Sequence, residues 1–131
     1  MTRKLRKGFT LIELVVVILV LGILAAMAAP KLMDITQDAR MNTTRQSLAI
    51  IRDAIELYRM ETGAYPSAPT VAANMTSFIH GEFPAPEIGP NAGNQNIKAF
   101  TGTLTVGGTE GWAFDAAAGN FRVNATPYDT W

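Results

Sequence analysis

Cysteine is absent from this chain of 131 residues. That excludes a disulfide framework, a thiolate metal site and a thiol nucleophile, and it leaves cysteine usage silent on redox compartment. Histidine is almost absent: His80 stands alone between Ile79 and Gly81, beside a proline-rich stretch. No nucleophile, base and orienting group can be assembled around it, so it reads as a loop residue. The Gly107-Gly108 pair lacks the lysine and helix that would follow in a phosphate cradle, and it reads as a turn. The chain carries no legible catalytic set and is not read as an enzyme.

An excess of positive charge is also missing. Eleven basic residues balance eleven acidic ones, and four of the basic residues, Arg3, Lys4, Arg6 and Lys7, fall within the first eight positions. The rest of the chain is therefore mildly acidic, which gives no electrostatic reason to expect nucleic acid as a partner. The basic start reads instead as a topology signal.

What the chain does have is one long apolar run. Residues 9–29 read FTLIELVVVILVLGILAAMAA, with Glu13 as the single charge. As a helix this run is long enough to cross a hydrocarbon core of ~30 Å. Four cations precede it and only Lys31 follows closely, so the positive-inside rule places the N-terminus in the cytoplasm and everything after Pro30 outside. The competing reading is a cleaved secretory signal with an Ala26-Met27-Ala28 cut site. Three features count against it: the run exceeds the usual ~7–15 residues of a signal core, a carboxylate interrupts it, and helical periodicity continues past it.

Beyond Pro30 the pattern becomes amphipathic. Leu48, Ile51, Ile55 and Tyr58 recur at three- and four-residue steps, with Ile50, Ala54 and Leu57 alongside, which predicts a helix with one buried face. Arg52, Asp53, Glu56 and Arg59 are expected on the solvated side, with Arg52 and Glu56 spaced as an i,i+4 pair. Gly63, followed by Tyr65-Pro66, marks the helix stop. The stem is thus expected over residues 9–62.

Residues 64–96 hold five prolines and suit an extended connection, with one short helix expected over 70–79. The last third predicts strands over 97–100, 104–106, 112–115 and 120–124 at hairpin-like spacings, forming a small antiparallel sheet. Trp112, Phe114, Phe121 and Val123 alternate so that one face can pack on the Leu48–Tyr58 stripe. The predicted fold class is α+β. A long N-terminal helix, half transmembrane and half amphipathic, packs on that sheet.

The segment Lys7-Gly8-Phe9-Thr10-Leu11-Ile12-Glu13 resembles the class III leader and maturation site of type IV pilins and type II secretion pseudopilins, and the likeness extends through Gly22-Ile23-Leu24-Ala25 to Ala29-Pro30-Lys31. The resemblance implies a cleaved leader at 1–8, a transmembrane and polymerisation helix at 9–30, an amphipathic helix at 31–62, and a globular part that 63–131 forms with it. It implies cleavage between Gly8 and Phe9 by a prepilin peptidase, N-methylation of Phe9, and pairing of Glu13 with the new α-amino group of Phe9 in a neighbouring subunit. The implied partners are other pilin-like subunits, the peptidase, an inner-membrane assembly platform and the lipid bilayer. The implied locations are the bacterial inner membrane and then a periplasmic pseudopilus or an extracellular pilus.

Physical chemistry supports these roles independently. Glycine lets the backbone enter a tight active site, and a carboxylate in a membrane helix costs ~2.5–3.5 kcal/mol near the bilayer centre and needs a partner. Type IVa pilins commonly close their C-terminal loop with a disulfide, which this chain cannot form, and major pseudopilins commonly use calcium there. Glu110, Asp115 and Asp129 make no oxygen-rich run and read as turn and surface residues, so no cofactor is expected. The expected function is a structural filament subunit, either a type II secretion pseudopilin or a type IV pilin. A membrane-tethered or signal-bearing exported binding module is the alternative.

Overall fold

The computed structural model describes residues 8–131. The leader cations Arg3, Lys4, Arg6 and Lys7 lie outside the described residues. The chain divides between Gln37 and Asp38 into two compact units. Helix α1 (Leu11–Thr62) supplies all the regular structure among the described residues of the first and the spine of the second, and Pro30 lies within it.

In the first unit no described residue of the helix is buried, and an 18-residue window has a mean hydropathy of 2.9. A helix apolar all round and unpartnered along its length has no core to face, so its surface belongs in lipid or against other helices.

The second unit is built around the amphipathic half of α1. Its helical segment ends at Gly63, whose φ of +81° only glycine adopts at little cost, and whose N–H donates to the Arg59 carbonyl at 2.8 Å. Next comes a short helical run in three pieces: a 3-10 turn (Ala68–Thr70), one α turn, α2 (Val71–Asn74), and a second 3-10 turn (Met75–Ser77). The expected helix over 70–79 is present but starts and stops two residues early, with Val71 and Met75 fully buried and Phe78 packed against the core.

Three strands follow: β1 (Ile97–Ala99), β2 (Trp112–Asp115) and β3 (Asn120–Val123), in the spatial order β1-β2-β3. The β2-β3 hairpin is antiparallel, with Trp112 opposite Val123 and Phe114 opposite Phe121. β1, by contrast, runs parallel to β2, pairing Ile97 with Trp112 and Ala99 with Phe114. The sheet is therefore mixed, which corrects the antiparallel expectation.

Residues 104–106 form no strand. The reason is topological. Parallel pairing obliges the chain to return from the end of β1 to the start of β2, so the intervening residues must cross over and cannot pair as a hairpin. Glycines at positive φ bound this crossover, Gly102 at +74° and Gly107 and Gly108 at +143° and +92°.

Leu48, Ile51 and Ile55 bury against Trp112, Phe114, Phe121 and Val123, and Tyr58 packs at the margin, as the periodicity predicts. Phe121 is the hub of the aromatic cluster, with ring centroids of Trp112 and Phe114 at 5.3 and 5.9 Å. The Trp112 indole N–H donates to the Pro84 carbonyl at 2.9 Å, so its polar atom is satisfied inside the core. Ile50 and Leu57 stay about half exposed on the far side of α1.

Two polar expectations are corrected. Arg52 does not pair with Glu56: it is half-buried and donates to the carbonyls of Phe121 and Trp131, while Glu56 lies 3.7 Å from Arg59 and accepts from the Tyr65 hydroxyl. A guanidinium reaching the unpaired edge of β3 gains charge-assisted bonds that an exposed i,i+4 pair cannot match. Asp115 is neither a turn nor a surface residue: it is the buried last residue of β2, and its carboxylate accepts the N–H groups of Gly102, Ala117 and Ala118. His80 is exposed in a loop, and Glu110 and Asp129 are half-buried.

Candidate maturation and assembly site

Gly8, Phe9 and Thr10 precede the first turn of α1 in irregular backbone, all exposed. The helix starts where the Leu14 N–H reaches the Thr10 carbonyl at 3.3 Å. Thr10 is the N-cap. Its hydroxyl oxygen accepts the Glu13 N–H at 3.3 Å and its hydroxyl hydrogen goes to Glu13 Oε2 at 2.9 Å, while the Thr10 backbone N–H donates to the same carboxylate oxygen at 3.0 Å. This is a reciprocal capping box, in which the carboxylate also sits at the positive end of the helix dipole.

Glu13 is thus held by two donors of its own chain, both on one oxygen. Its other oxygen, Oε1, makes no hydrogen bond among the described residues. Phe9, Ile12, Glu13, Val16 and Val17 line one shallow groove, so Phe9 and Glu13, two of the sequence-derived candidates, do come together. Phe9 itself is 81% exposed. Gly8 stands one residue before it, and an added Cβ would meet nothing within 4 Å.

The geometry offers an accessible peptide bond between Gly8 and Phe9, with a carboxylate one turn away that has one oxygen committed and one to spare. A cation delivered next to Phe9 would find a hydrogen-bond acceptor already oriented. Thr10 is not among the candidates of the sequence reading, although Thr10-Leu11-Ile12-Glu13 before an apolar run is the signature of a capping box.

Fold and site together define a class: a protein with an apolar, membrane-length helix bearing one carboxylate in its first turn, which continues into the spine of a small α+β domain. Comparison with known proteins agrees. Residues 3–29 match the prokaryotic N-terminal methylation motif. The chain is 39% identical over 67 residues, 51% of its length, to type II secretion system core protein G of Pseudomonas aeruginosa. It is 38% identical over 68 residues, 52% of its length, to the type IV narrow pilus major component PilA5 of Thermus thermophilus. With the fimbrial protein EcpC of Eikenella corrodens the identity is 31% over 101 residues, 77% of the chain. The matched spans cover 47%, 59% and 65% of those three relatives. No solved structure matches the chain. The chain is type IV pilin-like in its N-terminal motif and in the relatives it matches.

Proposed function

We propose that this chain is a structural subunit of a type IV pilus-like filament. It is made as a precursor and held in the bacterial inner membrane by residues 9–29, with the basic leader on the cytoplasmic side. A prepilin peptidase cuts between Gly8 and Phe9, Phe9 is N-methylated, and an assembly platform moves the subunit from the bilayer into a helical polymer with other pilin-like subunits.

The observation that carries this reading is the bare apolar surface of α1, with Leu14, Ile18, Leu21 and Leu24 each more than half exposed around a single carboxylate. The same surface serves lipid before assembly and neighbouring helices after it. Glu13 then has two partners in turn. Thr10 offsets part of its desolvation cost in the membrane, and the α-amino group of a neighbour's Phe9 takes Oε1 in the polymer.

A type II secretion pseudopilin is the branch favoured here. It fits the absence of cysteine and the relatives named secretion core protein G. The relatives named as a narrow-pilus component and a fimbrial protein support a surface pilus as the second reading.

The test combines an intact mass with one variant. The mature protein should begin at methylated Phe9, and Glu13→Ala should be cut and membrane-bound yet yield no sheared or cross-linked polymer. A mature start at Ala29, or an uncut Met1, would point to an exported or tethered binding module. Normal polymer from Glu13→Ala would remove the assembly role of the carboxylate.

A further inference from the structure

Major pseudopilins commonly use calcium in the C-terminal part of the chain, and here the donors of the crossover between β1 and β2 do not fit such an ion. From Thr105 to Glu110 every main-chain carbonyl except that of Val106 accepts a side-chain donor. Lys98 Nζ donates to the carbonyls of Thr105 and Gly107 at 2.8 and 3.0 Å. Asn91 Nδ2 donates to those of Gly108 and Glu110 at 3.1 and 2.9 Å, and Asn94 Nδ2 to that of Thr109 at 2.7 Å. Asn124, fully buried, donates through Nδ2 to the carbonyls of Gly107 and Glu110 and accepts the Gly107 N–H through Oδ1.

The carboxylates are no better placed to ligate. Asp115 spends its oxygens on the N–H groups of Gly102, Ala117 and Ala118. The Glu110 carboxylate lies over Gly108, where a Cβ on the glycine would meet Oε2. No group of three His, Asp or Glu side chains that could hold a metal occurs among the described residues. Calcium takes six to eight oxygens, with carboxylates among them. Here the carbonyl oxygens converge on an ammonium instead, and that charge repels a second cation at the same spot.

We infer that Lys98, with Asn91, Asn94 and Asn124, staples the crossover in the way a bound metal would, so that this domain holds its shape without a divalent cation. Lys98 stands in β1, at one end of the crossover, and its ammonium reaches the far half of the loop. Asn91 and Asn94 come from the preceding irregular segment and Asn124 from the residue after β3. The staple therefore joins parts of the chain that share no sheet pairing.

The experiment uses the full chain in detergent. Calcium chloride titrated by calorimetry is expected to give no saturable binding, and melting is expected to be the same in calcium and in EDTA. Amide hydrogen exchange of residues 103–110 in Lys98→Met is expected to quicken by about tenfold or more relative to the parent, since a charged hydrogen-bond donor is lost. Saturable calcium binding, or melting that rises with calcium, overturns the inference. So does unchanged exchange in Lys98→Met. Should Lys98→Met fail to fold, Asn94→Ala removes the bond to the Thr109 carbonyl together with the one Oδ1 accepts from the Asn96 N–H, and faster exchange of residues 103–110 is required of it.

Discussion

The guanidinium of Arg52 donates from Nε and Nη2 to the carbonyl oxygen of Phe121, at 3.0 and 2.8 Å, and so ties α1 to the outer edge of β3. Nη2 also reaches the Trp131 carbonyl. An edge strand presents unpaired carbonyls that would otherwise need water or a partner strand, and one arginine fork covers this one. Arg52→Met keeps the apolar stem and removes the donors, so a loss of about 1–3 kcal/mol is expected. Thermal melting in detergent measures it, and Arg52→Lys, a point charge without the fork, should recover only part.

Ile55 sits at the centre of the helix-sheet contact, 1% exposed. Ile55→Ala should cost ~2–5 kcal/mol, a large part of the ~5–15 kcal/mol typical of a domain. The readout is the melting temperature. An unchanged value would mean that the stripe does not face the sheet.

Thr10 and Glu13 form the reciprocal cap at the start of α1. Thr10→Ala should loosen the first turn by ~0.5–2 kcal/mol. Faster exchange of the amides of residues 11–14 in micelles would show it, and Thr10→Ser, which keeps the hydroxyl, should restore the parent rate.

Asp115 makes stability depend on pH. The Gly102 N–H above all, with those of Ala117 and Ala118, holds its carboxyl below the ordinary value of 3.8 against the opposing effect of burial. A carboxylate favoured by folding contributes stability that is fully present above about pH 3.8 and is lost as pH falls through the lower folded value. Asp115→Asn should melt lower than the parent at neutral pH and lose less stability on acidification below about pH 4. Melting curves of the two proteins across that range decide the matter; parallel curves would refute the assignment.

Elements whose signals are local were legible in the amino-acid order. The apolar run and its lone Glu13, the three- and four-residue rhythm from Leu48 to Tyr58, the stop at Gly63 and the Trp112 to Val123 hairpin all follow from side-chain period and glycine or proline chemistry. Such signals act over one or two turns of helix or one strand pair. The cap at Thr10 is legible in the same way, from four consecutive residues.

How distant segments meet was settled by packing in three dimensions. A run such as 104–106 has the composition of a strand, but whether it pairs depends on the direction of β1 beside β2, which no local pattern encodes. Arg52 looks like a solvated helix residue until β3 presents a carbonyl within its reach, 69 residues away in sequence. Asp115, Lys98 and Asn124 acquire their roles for the same reason. Each satisfies backbone groups of a crossover whose position is set by the packed sheet, and the requirement that buried polar groups find partners becomes specific only after the chain is folded.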